Sequence, residues 1–203
     1  MESVFMNVFS KFFPTETCQR HWIDLQNAYT ASGRYYHNLK HLKFIFEQLK
    51  PLKKKIEDWE VVLFTLFFHD YVYKVTRKDN ELRSAVKAER VLRATSINES
   101  RINRCYEQII ATKDHLLCND QDANYFNDAD LAILGSDPES YDIYAQQIRK
   151  EYGIYPDFLY IPGRKKVIKH FLTMDAIFKT HYFRKKYEAI AIKNLTRELE
   201  SIS

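Results

Sequence analysis

The chain has 203 residues, 45% of them hydrophobic and 29% charged, with a formal net charge of +4. That length buries a sizeable core within one domain, and so mild a positive excess falls short of a nucleic-acid-binding footprint while suiting anionic substrates. The three cysteines, Cys18, Cys105 and Cys118, form no Cys-x-x-Cys pair, so neither a disulfide framework nor a zinc ribbon is expected, and a reducing, cytoplasmic setting is.

Only four glycines and five prolines occur, and they fall at joints between long periodic segments, which favours an all-α fold. The apolar start (Phe5, Val8, Phe9) has no basic leader region and is interrupted by Asn7, Ser10 and Lys11, so secretion is not expected. No apolar run approaches the ~20 residues needed to span a bilayer. A first helix is predicted from Thr15, with Trp22, Ile23, Leu25 and Tyr29 at helical spacing, broken by Gly33. A second runs from about Tyr35 to Leu49 and closes at Pro51, which puts His37 and His41 on one face with Arg34 a turn before them.

Asp58 caps a third helix, whose apolar run Val61–Phe68 ends abruptly in His69 and Asp70. Its length, and the absence of neighbouring Gly or Pro, favour helix over strand. Asn80 can cap a fourth helix from Glu81 to about Ala94, and Asn98 caps a fifth ending near Thr112, with Lys113 and His115 just beyond. Cys118 to Asn124 reads as an acidic loop, followed by a short sixth helix from Tyr125 to Leu134, which carries Asp128 and Asp130 and stops at a Gly135 C-cap. Ser136-Asp137-Pro138-Glu139 opens a seventh helix as a capping box, ending at Gly153. Pro156, Pro162 and Gly163 punctuate a connection to helices from about Arg164 to Thr173 and from about Tyr182 to Ile202.

An imidazole and a carboxylate beside so much hydrocarbon are expensive unless hydrogen-bonded, charge-paired or bound to a metal. His37, His69, Asp70 and Asp130 together make a mixed nitrogen and oxygen ligand set suited to one divalent ion such as Mn, Mg, Fe, Co, Ni or Zn. Such an ion activates water near neutral pH and withdraws charge from a phosphoryl oxygen.

Arg34-Tyr35-Tyr36-His37, Phe68-His69-Asp70, the run Ile110 to His115, and Asp128-Ala129-Asp130-Leu131 resemble the HD-domain superfamily of metal-dependent phosphohydrolases. Asn80-Glu81-x-x-Ser84-Ala85, Ile133-Leu134-Gly135, Ile148 to Tyr152, and Gly163-Arg164 are similar to a subgroup of that superfamily with uncharacterised substrate, so the resemblance covers most of the chain after about residue 20. It implies a single HD-type helical domain over 1–203, with a metal core within about 34–135 and the helices of 138–202 packed on it. It implies metal ligation by His37, His69, Asp70 and Asp130. Asp128 is then a supporting or helix N-terminal group, unless it replaces Asp130 as ligand.

His115 is a candidate proton donor, and Glu81 a candidate base or orienting carboxylate, each set against an ordinary structural role. Arg34 and Lys113 are candidates for binding substrate phosphate, and His41 for touching substrate or orienting a ligand, against a core histidine bonded to a carbonyl. The expected activity is hydrolysis of a phosphate ester or anhydride of a nucleotide or nucleotide-like small molecule by metal-activated water. The rival is a regulatory module that binds metal or nucleotide without turnover. Membrane association is not expected, a homo-oligomer is compatible with the chain, and nucleic-acid binding through Lys53–Lys55 or Arg184-Lys185-Lys186 is the least favoured reading because those runs are short and scattered.

Overall fold

The computed structural model describes Met1 to Ile202, and the described residues are all-helical, without a strand. The helices are α1 (Glu2–Phe9), α2 (Thr15–Tyr29), α3 (Leu39–Leu49), α4 (Trp59–Phe68), α5 (Asn80–Leu92), α6 (Glu99–Ala111), α7 (Gln121–Leu131), α8 (Pro138–Glu151), α9 (Asp157–Leu172) and α10 (His181–Ser201). None of them is long and apolar enough to cross a membrane. The chain divides into two compact units, Met1 to Phe126 and the residues from Asn127 on, the division falling within α7.

In the first unit every residue of α4 from Val61 to Phe68 is buried, so this helix is apolar on all sides and forms the core. Full burial of each such side chain contributes about 1.5–3 kcal/mol. The apolar N-terminal segment, not predicted as a helix, forms α1. Its Phe5 and Phe9 stack at 3.9 Å and meet Phe67 and Phe64 of α4 edge-on at 5.0 and 5.3 Å.

The start of α4 is fixed by charge. Asp58 accepts from the Val61 amide at 3.1 Å, as its N-cap role requires, and also takes two hydrogen bonds from Arg101. Asp122, itself buried, accepts from the amides of Glu57 and Asp58, each at 2.9 Å. The loop expected over 118–124 is partly helical because Asp120 caps α7, accepting from the Asp122 amide at 2.9 Å. Burial alone would raise the Asp120 carboxyl. Hydrogen bonds from Arg104 and Gln108, the Arg104 charge and the Asp122 amide outweigh it and hold the group at about 2.

That pKa is depressed below the ordinary value of about 3.9, so its contribution to stability is complete above pH ~4 and lost as pH falls through about 2. Acid titration of the urea midpoint is expected to lose part of its slope in this window in Asp120→Asn. An unchanged slope would remove Asp120 from the acid transition.

α3 starts later than expected. Asn38 caps it, its Oδ1 accepting from the Lys40 amide at 2.8 Å while its Nδ2 donates to the Tyr35 carbonyl at 2.8 Å. His37 therefore lies in the turn before the helix rather than on it. Gly33 precedes this turn with φ 89, a left-handed conformation that lets the chain reverse after α2.

In the second unit, α7 gives way to a 3₁₀ turn at Ala132–Gly135. Gly135 was expected as the C-cap of this helix, yet the helix ends at Leu131, and among the described residues Gly33 alone of the glycines has positive φ. What requires glycine here is close approach: a Cβ would stand 2.5 Å from Tyr187 Cβ and 2.7 Å from the Tyr187 carbonyl oxygen on α10. Gly135→Ala is expected to lower stability by about 1–3 kcal/mol, read as a lower urea midpoint, because backbone rather than a flexible side chain must yield. Asn194 reinforces the same contact, donating to the carbonyls of Leu134 and Ser136 at 2.9 Å.

Asp137, rather than Ser136, caps α8 by accepting from the Ser140 amide at 3.0 Å. The break expected at Pro162 does not occur, and α9 runs through it. Pro162 is exposed, and the cost is confined to the one helix bond that its missing N–H removes. Buried Arg164 forms a paired hydrogen bond to Glu198 at 2.7 and 2.8 Å, and Tyr141 donates to the same carboxylate.

Candidate metal centre

His69 is the C-cap residue of α4, one step beyond the apolar run, and is 2% exposed. Its Nδ1 lies 3.0 Å from the Leu66 carbonyl oxygen. A carbonyl accepts only, so Nδ1 carries a proton, and Nε2 faces the other side chains of the cluster. Nε2 in turn lies 3.2 Å from Asp70 Oδ2 and 3.4 Å from Nε2 of His41, which is 3% exposed in the first turn of α3. His41 Nε2 and Asp70 Oδ2 are 3.8 Å apart. Three donor atoms on three side chains thus converge.

Burial would raise the Asp70 carboxyl, but the charge of His69 first, then that of His37, the His69 hydrogen bond and the His41 charge hold it well below the usual carboxylate range. It is an anion at neutral pH. Phe126 closes the buried side of His69, with ring centroids 5.2 Å apart.

His37 reaches the cluster from outside α3. Its ring stacks on Tyr73 at 4.2 Å and stands 5.6 Å from that of His41. Holding this turn in place is the work of Arg34. The guanidinium donates to three main-chain carbonyls: His37 at 3.1 Å, Asp70 at 2.7 Å and Tyr71 at 2.9 Å. Its face also lies over the rings of Tyr29 and Tyr73 at 4.9 and 5.5 Å. Arg34, expected as a phosphate-binding group, is here a strap between the His37 turn and the end of α4.

Three groups not singled out for such a role by the sequence reading secure the strand of chain after Asp70. The Tyr29 hydroxyl accepts from the Asp70 amide at 3.2 Å, and Ser84 accepts from the Val72 amide at 3.0 Å. Asn80 brackets Lys74, accepting from its amide at 3.1 Å and donating to its carbonyl at 3.0 Å. Asn80 and Ser84 stand one turn apart on α5, so the polar pattern Asn-x-x-x-Ser at helical spacing was the available signal. Glu81, between them, sits half-buried in the first turn of α5.

Lys113 is exposed in the turn after α6. His115 follows with φ 48, a left-handed conformation rare outside glycine. Asp130 is half-buried near the end of α7, one turn after Phe126 on the same helix face. Asp128, two residues earlier, is fully committed within the second unit. Its carboxylate accepts from the amides of Lys179 and Thr180 and from the Thr180 hydroxyl, each at 2.7 Å, fixing the approach to α10. Burial raises its carboxyl, partly offset by these hydrogen bonds.

No family model, no curated protein and no solved structure matches the chain.

Proposed function

We propose that the histidine and aspartate cluster holds one divalent metal ion and that the protein is an HD-type phosphohydrolase acting on a phosphate ester or anhydride of a nucleotide or nucleotide-like small molecule. The observation that carries this reading is the convergence of His41 Nε2, His69 Nε2 and Asp70 Oδ2 at mutual distances of 3.2, 3.4 and 3.8 Å. Ligand atoms about 2.1 Å from a shared ion lie roughly 3.0–3.4 Å from one another, so the donor set fits with slight contraction. When His69 Nε2 is unprotonated its lone pair faces a carboxylate oxygen and a second ring nitrogen, a repulsion that a metal ion among them would relieve.

His69 enters this set with its tautomer already fixed by the Leu66 carbonyl. His41 joins it as a ligand candidate in place of a substrate contact. His37 and Asp130 are the further ligands in the proposal, and the full commitment of Asp128 to Lys179 and Thr180 favours Asp130 over it. When bound, the ion supplies Lewis acidity at a phosphoryl oxygen and lowers the pKa of the attacking water. Lys113 is the proposed cation for substrate phosphate. His115 and Glu81 are the proposed proton-handling groups, and the left-handed backbone at His115 is the sort of strain that gathers at working sites.

A second reading is favoured by Arg34. Three of its five N–H donors serve main-chain carbonyls, which leaves Lys113 as the less committed of the two cations expected to face a phosphate, as suits a regulatory module that binds metal or nucleotide without turnover. Metal analysis of the purified chain is expected to give about one ion per chain, with chelator-sensitive phosphate release from a nucleotide panel in Mn, Mg, Co or Ni. Thermal stabilisation by nucleotide without release supports the module. A chain that binds no divalent ion refutes the first reading, and one that binds neither a divalent ion nor a nucleotide refutes both.

A further inference from the structure

A groove of about 470 Å³ runs along the outer side of α5 in the first unit. Lys74, Arg77, Arg83, Lys87 and Arg90 line it, with Asp79 as its single carboxylate. Five cations against one carboxylate leave an excess of four positive charges along this lining. Asp79 is shared by Arg83 at 2.7 Å and Arg77 at 3.6 Å. Lys87 reaches Asp24 at 3.6 Å and lies over the Tyr71 ring at 4.9 Å.

The lining is not only charged. Val72, Leu82 and Val86 also contribute to it, and Leu82 and Val86 are 47% and 43% exposed. They stand one turn apart on the side of α5 away from its buried Ser84, Ala85 and Ala88. Arg83, Lys87 and Arg90 form the adjacent row at helical spacing. The surface is therefore a two-residue apolar seam with cations along it.

We propose that this groove is a docking site for an acidic amphipathic segment of another protein, helical when bound, with apolar side chains against Leu82 and Val86 and carboxylates toward Arg83, Lys87 and Arg90. Charge complementarity selects an anionic partner. The seam selects among anions: a helix laid in a groove is read through anchors at i, i+4 spacing, the spacing of Leu82 and Val86. A single-stranded nucleic acid uses aromatic platforms for its bases, and no aromatic side chain lines this groove. This proposal stands apart from the metal centre and does not depend on it.

The test is fluorescence anisotropy with the full chain and a labelled probe of about 18 residues, five helical turns, bearing Leu at i, i+4 spacing and Glu elsewhere. A scrambled peptide of the same composition and a labelled oligothymidylate serve as comparators. The patterned peptide is expected to bind most tightly, with affinity falling as salt rises. Binding is expected to weaken about tenfold or more in Arg83→Glu/Arg90→Glu, and severalfold in Leu82→Ser/Val86→Ser. All four side chains are outward-facing, and unchanged thermal melting of the variants shows that the effect is local. Equal binding of patterned and scrambled peptides, tighter binding of the oligothymidylate, indifference to the Leu82→Ser/Val86→Ser change, or no binding at all overturns the proposal.

Discussion

Asp70→Asn is expected to lower divalent-metal affinity by about 100-fold or more and to take phosphate release down with it, since even outer partners of metal ligands are worth about 10–100-fold. The amide is nearly isosteric, so circular dichroism should report an intact helical fold. What disappears is the anion. Oδ2 of Asp70 is 3.2 Å from His69 Nε2 and 3.8 Å from His41 Nε2, and an amide there presents either a poorer oxygen donor or an NH₂ group that competes with an ion for the two nitrogens. Isothermal titration with Mn or Zn, paired with metal content after dialysis, measures the loss. Phosphate release that persists in a fully metal-free variant would end the metal-dependent reading.

The second large effect is expected at Arg34. Arg34→Lys keeps the charge, but a single ammonium cannot serve three carbonyls on both sides of the strap as a planar guanidinium does. A loss of about 2–4 kcal/mol in unfolding free energy is expected from the carbonyls left without donors. Metal affinity should fall as well, by about 10–100-fold, because the His37 turn and the main chain of Asp70 lose their common tie. Any residual turnover should keep its KM. A raised KM with unchanged stability would instead return Arg34 to the substrate.

Much of the fold was legible because it is written locally. Asp58 and Asn98 were recognised as caps, and each accepts from the amide three residues on, a signal contained within one turn of sequence. The apolar run of α4 needed no partner to be identified as a core helix. Errors arose where a residue serves something distant or has two local uses. Asp120 looked like loop composition but caps α7, and Asn38 starts, one residue after His37, the helix expected to include that histidine. Gly135 carries the composition of a cap, whereas its requirement comes from Tyr187, far along the chain.

The candidate site divides in the same way. His69 and Asp70 stood out because polar groups ended an apolar run, and the structure sets both against His41. The task of Arg34 was hidden, because its acceptors at Asp70 and Tyr71 are main-chain atoms 36 and 37 residues away and every residue type has a carbonyl. Asp130 was preferred to Asp128 on the family pattern, and the role of Asp128 was hidden because its partners, Lys179 and Thr180, lie 51 and 52 residues away.

The positions of His69 and His41 on their helices carry one more consequence. His69 sits at the C-terminal end of α4, where the summed peptide dipoles leave about half a negative charge, while His41 sits in the first turn of α3, at the opposite pole. The first pole attracts a cation to the His69 nitrogen. The second opposes positive charge at the His41 ring. The two macrodipoles thus bias positive charge in the cluster, proton or metal ion alike, toward His69 and away from His41, by about 0.3–1 kcal/mol at each end, before any ligand bond is counted.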